Sequence, residues 1–411
     1  MRSIVTAAAV LTAASVLAGC AKEIEAGTNE DAKRYFDAWI QINDPGQTWT
    51  KTANGLYIIE NTEPSIPEDD REEITDSAYV LVMYTYTDLN GNIQATNVAD
   101  SVRKAELGYD KSHYYGPAVW VNSDLAITVG VKDLLSGMHV GGKRKAVIPA
   151  WLNTSNRYGS EEEFLANVTD GSHRIYEVEI ADATNDILRY QTDSIELYWD
   201  RRLGWEYENG SPHKGTEGYY NAAEHTPDNG GKFDINEDVN KKQFVTHWDT
   251  TYTGFRFRQY FRHQPEKDDN GSPAMKFKDD TTLYINYTGR LLNGQVFDTT
   301  IEDTAKFYNI YSTTRTYGPV EIKWSSDTTA ITLGDSDDII GGFKSMIGKL
   351  RNDEPASEGE EERKDGGNDG ESAVAIFYSN LGYGYNGSGS SIPGYAPLRF
   401  DITVVKQEEE E

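Results

Sequence analysis

The fold of the C-terminal part of this chain is decided by residues 283–298, LYINYTGRLLNGQVFD. Apolar and polar side chains alternate from Leu283 to Tyr287, the pattern of a strand with one buried face. Asn293-Gly294 is the pair most favoured in a two-residue hairpin turn. A second short apolar run follows and ends at Phe297-Asp298. The stretch therefore predicts a β-hairpin.

Two further segments follow this hairpin in a fixed order. Residues 331–350, ITLGDSDDIIGGFKSMIGKL, predict a short strand, an acidic loop and a helix. Residues 381–405, LGYGYNGSGSSIPGYAPLRFDITVV, predict a glycine-rich loop and a closing strand. Strands joined by loops and one short helix indicate an α+β domain.

The chain also repeats itself. Residues 80–91 align with 283–294, residues 115–117 with 317–319, and residues 126–130 with 330–334, at offsets of 203, 202 and 204. Three separate blocks that hold almost one register indicate an internal duplication.

Each copy begins with a similar lead-in. Residues 29–41 and 185–199 place apolar side chains on one helical face, which predicts two amphipathic helices. The extended stretches 55–60 and 254–261 follow them and predict strands.

Charge and cysteine content limit the possible functions. The 411 residues carry a formal charge of −28, which opposes electrostatic binding to nucleic acid or to anionic lipid headgroups. Cys20 is the one cysteine, so no intrachain disulfide can form. The seven histidines lack metal-ligand spacing, and no nucleotide or cofactor motif is present, so we expect neither metal nor cofactor.

The N-terminal segment resembles a bacterial lipoprotein signal. Arg2, an apolar run from Ile4 to Leu17 and the small pair Ala18-Gly19 precede Cys20. The resemblance implies cleavage after residue 19 and lipidation of Cys20, which would anchor the protein in the bacterial cell envelope. The outer membrane is expected, with either a periplasmic or a surface orientation. An ordinary cleaved signal beside an incidental cysteine is the alternative.

The three C-terminal segments together resemble the FKBP family of peptidyl-prolyl cis-trans isomerases. The resemblance covers most of the second copy and implies rotation about Xaa-Pro bonds without a cofactor. Amide rotation has a barrier of about 18–20 kcal/mol. A pocket can lower that barrier by excluding water and favouring the twisted imide, so no nucleophile is required.

The resemblance assigns roles to the first set of residues. Tyr287 and Phe297-Asp298 match the family's first wall and its buried carboxylate. Ile339-Ile340 matches the aliphatic pair, in which the Ile340 N–H would bind a substrate carbonyl. Phe343 stands where the family has the tryptophan of the pocket floor.

The remaining assignments lie near the C-terminus. Tyr383 matches the tyrosine whose hydroxyl binds substrate, Ile392 the flap aliphatic residue, and Phe400 the closing wall. Two departures are expected to weaken the site. The family's aromatic residue before the TLG strand falls at Thr329, which opens one wall, and a family proline falls at Ser379, which loosens its loop.

The first copy lacks these residues. Gln94-Ala95 stands opposite Phe297-Asp298, and Val131 stands opposite Phe343. The loop that would carry the aliphatic pair is missing, so we expect a folded, non-catalytic copy.

The predicted organisation is two FKBP-like α+β domains, each a twisted antiparallel sheet wrapped on a short helix. Its parts are a signal peptide (1–19), a tether with lead-in helix (20–50), a degenerate domain (51–184), a helix and irregular connection (185–250) and an isomerase domain (251–408) with an acidic insertion (351–372). The predicted activity is prolyl isomerisation of proline-containing exported polypeptides. The alternatives are a non-catalytic FKBP-fold binding module and a surface interaction lipoprotein.

Overall fold

The computed structural model describes residues 29–124, 127–167, 171–199, 246–261, 277–352 and 371–405. Four predicted features lie wholly or largely outside these ranges: the signal peptide, Cys20, most of the connection 204–247 and most of the acidic insertion. Among the described residues, no helix combines the length and the apolar character needed to cross a membrane.

The α+β class is confirmed, with two antiparallel sheets and seven helices in the described part of the chain. The helices are α1 Asn29–Asn43, α2 Ala99–Lys104, α3 Val129–Leu135, α4 Glu161–Asn167, α5 Ile187–Tyr198, α6 Glu302–Phe307 and α7 Gly341–Lys349. The strands of the first sheet are β1 Thr50–Lys51, β2 Tyr57–Thr62, β3 Tyr79–Thr87, β4 Ile93–Thr96, β5 Ala118–Val121, β6 Lys143–Ile148 and β7 Arg174–Thr184. Those of the second are β8 Thr246–Tyr252, β9 Phe255–Phe261, β10 Thr281–Leu291, β11 Val296–Thr299, β12 Val320–Trp324, β13 Thr332–Leu333, β14 Ser372–Phe377 and β15 Leu398–Val405.

Seven strands of the second sheet repeat the order of the seven strands in the first, and β13 is an addition in the second. The first runs β1-β2-β6-β7-β3-β4 with β5 on β3, and the second runs β8-β9-β14-β15-β10-β12-β13 with β11 on β10. The register repeats as well, because Val80 faces Trp120 in the first sheet and the aligned Leu283 faces Ile322 in the second. The sequence repeat is therefore also a repeat of topology.

The described residues fall into two compact units that interleave along the chain. The first unit takes residues from Met1–Ile74, Tyr84–Ala95 and Ser123–Ile180. The second takes residues from Thr75–Met83, Thr96–Asn122 and Ala181–Glu411. Parts of the first sequence copy thus belong to the second unit.

One face of the second sheet carries the main core. The central strand β10 and strands β14 and β15 contribute apolar side chains that pack with Phe343, Met346 and Ile347 of α7. Helix α7 lies close to β14 because Gly342 has no side chain. A Cβ on Gly342 would lie 2.4 Å from the ring of Phe377.

Helix α5 packs on the other face of this sheet. Its Ile195, together with Trp199, joins a cluster with Tyr260, Val374 and Ile376. The predicted lead-in helix 185–199 is therefore a packing element of the second unit.

A loop with stacked tyrosines occurs in both copies. Tyr109 stacks on Tyr115 with ring centroids 5.1 Å apart, and Tyr311 stacks on Tyr317 at 5.3 Å. The first ring of each pair also makes a cation–π contact. Arg103 lies 3.9 Å from the centroid of the Tyr109 ring, and Lys306 lies 5.2 Å from the centroid of the Tyr311 ring. These stacked pairs were not predicted from the sequence.

Two predicted boundaries need correction. Strand β8 begins at Thr246, inside the segment 185–250 that was predicted to be a helix and an irregular connection. Glu371 and Ser372 were assigned to the acidic insertion, but both are buried and Ser372 starts β14. The sequence did not predict the start of this strand because Glu371 and Ser372 both carry polar side chains, as the acidic insertion does.

Gly342→Ala should lower the free energy of unfolding by about 1–3 kcal/mol, because the new methyl group overpacks the core against Phe377. Gly341→Ala is the matched control, since the nearest atom, Leu381 Cδ2, lies 3.8 Å from the added Cβ. Urea unfolding of the whole chain measures both. Equal stability of the two variants would contradict the close approach of α7 to β14.

Candidate functional site

The predicted hairpin forms, and a β-bulge shapes it. In the pairing of β10 with β11, Gly289 faces Asp298 and Arg290 faces Val296, so Phe297 has no opposite residue. Neighbouring strand residues normally point to opposite faces, but a bulge changes that alternation locally. The side chains of both Phe297 and Asp298 therefore contact residues of the same site.

Gly289 makes room for the aromatic walls. A Cβ at this position would lie 2.7 Å from Phe297 Cε2 and 2.9 Å from Phe400 Cε1. Gly289 also faces Phe400 directly in the pairing of β10 with β15. The glycine of the YTG motif is thus required for the two rings to meet.

Four predicted site residues form one aromatic cluster. Phe400 lies at its centre, with ring centroids 5.1 Å from Phe343, 5.6 Å from Phe297 and 6.1 Å from Tyr287. The contacts with Phe343 and Phe297 are edge-to-face, which aromatic pairs favour. The structure therefore brings together the predicted walls and the predicted floor.

A polar group closes one end of this cluster. The Tyr287 hydroxyl donates to Asp298 Oδ2 at 2.7 Å. Arg315 donates to Asp298 Oδ1 through Nη1, and its Nη2 lies 3.4 Å from the Tyr287 hydroxyl. Asp298 is therefore a paired carboxylate that fixes the ring of Tyr287.

Arg315 was missed by the sequence analysis. It stands two residues before the repeated Tyr-Gly-Pro block, and the aligned residue in the first copy is His113. The available signal was the arginine itself, because the second copy carries it beside the Tyr-Gly-Pro block and the first copy does not. The pairing of Arg315 with Asp298 was not predicted because a long segment, which includes α6, separates the two residues in sequence.

The ionisation of these groups follows from their surroundings. Burial and the neighbouring Asp298 raise the pKa of the Tyr287 hydroxyl, so Tyr287 is a neutral donor at physiological pH. Burial lowers the pKa of Arg315, but its hydrogen bond and ion pair with Asp298 outweigh burial and raise it. Burial and then the charge of Asp298 raise the pKa of Tyr383, which also stays protonated.

The aliphatic pair lies at the start of α7. Ile339 and Ile340 are half-buried against the core, and Ile340 is the residue that precedes the first turn. Its carbonyl accepts from Phe343 N at 3.1 Å. No group in the described part of the chain accepts a hydrogen bond from the Ile340 N–H, as is usual for a helix N-terminus. This donor is available to a ligand.

Tyr383 and Ile392 belong to the glycine-rich loop, residues 382–397, which we call the flap. Ile392 is buried and belongs to the core cluster that contains Phe343 and Phe400. Tyr383 is 37% exposed, so its ring lies at the rim. The predicted flap residue and rim tyrosine are therefore on the same loop.

The predicted open wall at Thr329 is wrong. Thr329 lies on the surface in a 3-10 helix, Thr328–Ala330, and its hydroxyl donates to Asp327 at 2.8 Å. Val320 of β12 packs on the core instead. It faces Ile285, which lies two residues before Tyr287 on the same face of β10.

Ser379 does not loosen its loop, contrary to expectation. Its N–H donates to Gln191 Oε1 of α5 at 2.7 Å, and its carbonyl accepts from Gly382 and Gly384, both at 2.8 Å. A proline would lack this N–H and lose the bond to Gln191. The serine thus ties the flap to α5.

Among its described residues, the first copy has no comparable site. Gln94 is exposed on β4, and Val131 is buried in α3 where Phe343 stands in α7. Residues 122–128 join β5 to α3, whereas 325–340 join β12 to α7 and carry Ile339-Ile340.

A cavity of about 230 Å³ lies elsewhere in the second unit. Its lining is largely apolar and includes flap residues Pro393–Pro397 with Tyr114, Tyr190 and Leu291. None of the nine predicted site residues lines it. Within the described ranges, no group of three or more His, Cys, Asp or Glu side chains could hold a metal ion.

No family model and no curated protein matches the chain. Similar solved structures include FkpA from Escherichia coli, with 18% identity over 44% of this chain and 71% of that chain at a TM-score of 0.27. The three FKBP domains of wheat FKBP73 match with 10% identity over 87% and 97%, at 0.23. A peptidyl-prolyl cis-trans isomerase from Pseudomonas syringae matches with 14% identity over 55% and 99%, also at 0.23. These proteins belong to the class that the sequence resembles, but TM-scores this low carry no argument about activity or site.

Tyr287→Phe should lower the free energy of unfolding by about 1.5 kcal/mol, because it removes a hydrogen bond to a carboxylate and little else. Tyr284→Phe is the matched control on the same strand, where the hydroxyl lies 3.4 Å from Glu321 Oε2. The control should lose less. In an Asp298→Ala background the effect of Tyr287→Phe should shrink, and an unchanged effect in this double-mutant cycle would refute the pairing.

Proposed function

We propose that the second unit is a peptidyl-prolyl cis-trans isomerase that acts on exported polypeptides. The observation that carries the proposal is the cluster of Tyr287, Phe297, Phe343 and Phe400 beside the available Ile340 N–H. The cluster offers an apolar surface for a proline ring, and the N–H offers a fixed donor for a carbonyl. The low-similarity neighbours are not needed for this inference.

The mechanism follows from desolvation. A proline ring against Phe343 and Phe400 would place its imide bond among apolar side chains, where water is excluded. The planar imide has the larger charge separation, so loss of hydration disfavours it relative to the twisted form. The pocket thus lowers the rotation barrier without a proton transfer or a covalent step.

Fixed polar groups would orient the substrate. The Ile340 N–H would hold the substrate carbonyl that follows or precedes the proline, and the Tyr383 hydroxyl, neutral at physiological pH, would donate from the rim. Arg315 neutralises Asp298, so the carboxylate keeps the Tyr287 ring in place without adding an unpaired charge to the pocket. An apolar residue before proline should be preferred because the surrounding walls are apolar.

Tyr383→Phe should lower kcat/KM about tenfold, the cost of one lost hydrogen bond of typical strength. The assay is NMR exchange or protease-coupled isomerisation of Xaa-Pro peptides by the whole chain. Tyr385→Phe is the matched control, because Tyr385 lies two residues away and is 70% exposed. A wild-type rate equal to that of buffer would refute the enzyme, and peptide binding without turnover would then support the binding module.

We also propose that lipidated Cys20 anchors the protein in the bacterial envelope. The support is the sequence alone, since Cys20 lies outside the described residues. A chain with a charge of −28 is repelled by anionic headgroups, so acyl chains must supply the attachment.

Cys20→Ser should release the protein from the membrane fraction or leave an unprocessed precursor. Fractionation followed by a high-salt wash separates lipid anchoring from ionic adsorption. A processed Cys20→Ser protein that still sediments with washed membranes would contradict the anchor.

A further inference from the structure

A loop from the first sequence copy contacts the flap. Residues 109–117, which we call the brace loop, lie in the second compact unit together with the flap. The backbone N–H of Tyr114 donates to the Ser390 carbonyl at 2.7 Å. This backbone hydrogen bond joins the first sequence copy to the second, and its length is ordinary.

Two further contacts flank that bond. Gln295, in the turn between β10 and β11, donates through Nε2 to the Ser112 carbonyl at 2.9 Å. Tyr79 of β3 meets the ring of Tyr395 edge-on, with centroids 5.5 Å apart. The flap is thus held near its middle and near its end.

The Tyr114 side chain connects the brace loop to the candidate site. Its ring packs against the core cluster that contains Ile392, Phe343 and Phe400. Burial raises the pKa of its hydroxyl, as expected for a ring that is mostly enclosed. Tyr114 therefore bonds the flap through its backbone, while its ring packs on the core and lines the cavity beside Pro393–Pro397.

The flap has limited support of its own. Glycines occupy five of its positions, and glycine loses more backbone entropy on ordering than other residues do. The ends of the flap are held by the Ser379 carbonyl, which accepts from Gly382 and Gly384, and by the Tyr395 N–H, which donates to the Gly384 carbonyl at 2.9 Å. In its middle, Ser388 and Ile392 exchange two backbone bonds of 2.9 and 3.1 Å. The cavity of about 230 Å³ is lined by Pro393–Pro397, so this stretch borders empty space on one side.

We propose that Tyr114 is a positioning residue for the isomerase site, and that the brace loop holds the flap so that Ile392 stays against the aromatic cluster. The inference rests on the proposed function. It gives the non-catalytic copy a definite role, which is to hold the middle of the flap, where Ser390 accepts from Tyr114.

The test compares Tyr114→Ala with Tyr114→Phe and with the matched control Tyr109→Ala, all in the whole chain. Tyr109 is in the same loop, but its ring stacks on Tyr115 and is 38% exposed. Hydrogen exchange of the Ser388 and Ile392 amides reports on the flap, and amides of β10 and β15 report on global stability.

Tyr114→Ala should speed exchange of the two flap amides about tenfold, the change expected when one aromatic contact is lost. The amides of β10 and β15 should keep their protection, kcat/KM should fall by a similar factor, and Tyr114→Phe should restore both. Tyr109→Ala should leave flap exchange unchanged.

Three outcomes would overturn the inference: unchanged flap exchange in Tyr114→Ala, loss of protection throughout the sheet, or an equal effect of Tyr109→Ala. The exchange measurement does not depend on catalysis. If the wild-type chain is not an isomerase, the proposed function fails while the exchange data still decide whether the brace loop orders the flap.

Discussion

One buried carboxylate, that of Asp401, constrains the register on which the site depends. Arg399 donates to both of its oxygens at 2.9 and 3.1 Å, and Arg290 Nε lies 3.1 Å from Oδ2. All three residues are almost fully buried. A one-residue slip of β15 would carry Asp401 and Arg399 together to the aromatic face and leave Arg290 of β10 buried without its carboxylate, at a cost of several kcal/mol.

The same register places the aromatic side chains. With Arg290 opposite Arg399, Gly289 must face Phe400, and Tyr287 must face Ile402. The two faces of the sheet therefore differ. The ion pairs lie on the face that packs against α5, and the apolar walls lie on the face that packs against α7. A buried ion pair adds little net stability in general, so its contribution here is best understood as specificity of pairing.

The parts of the site that are formed by short continuous segments could be predicted from the sequence. The hairpin, the Ile339-Ile340 pair and the flap could be predicted because strand alternation, turn chemistry and motif order are encoded in short segments. Arg315, Val320 and the tie between Ser379 and Gln191 could not, because each depends on which distant segments fold together. The incorrect role of Thr329 has the same origin, because the residue that packs beside β10 at this point is set by the pairing of β10 with β12.

The duplication explains how one copy could lose its site and remain folded. Both sheets keep their strand order, so the copies share a scaffold that does not require the pocket. The pocket depends on added features of the second copy, namely the Phe297 bulge and the loop that carries Ile340. Because Thr75–Met83 and Thr96–Asn122 belong to the second compact unit, the first copy still contributes structure to the unit that carries the site.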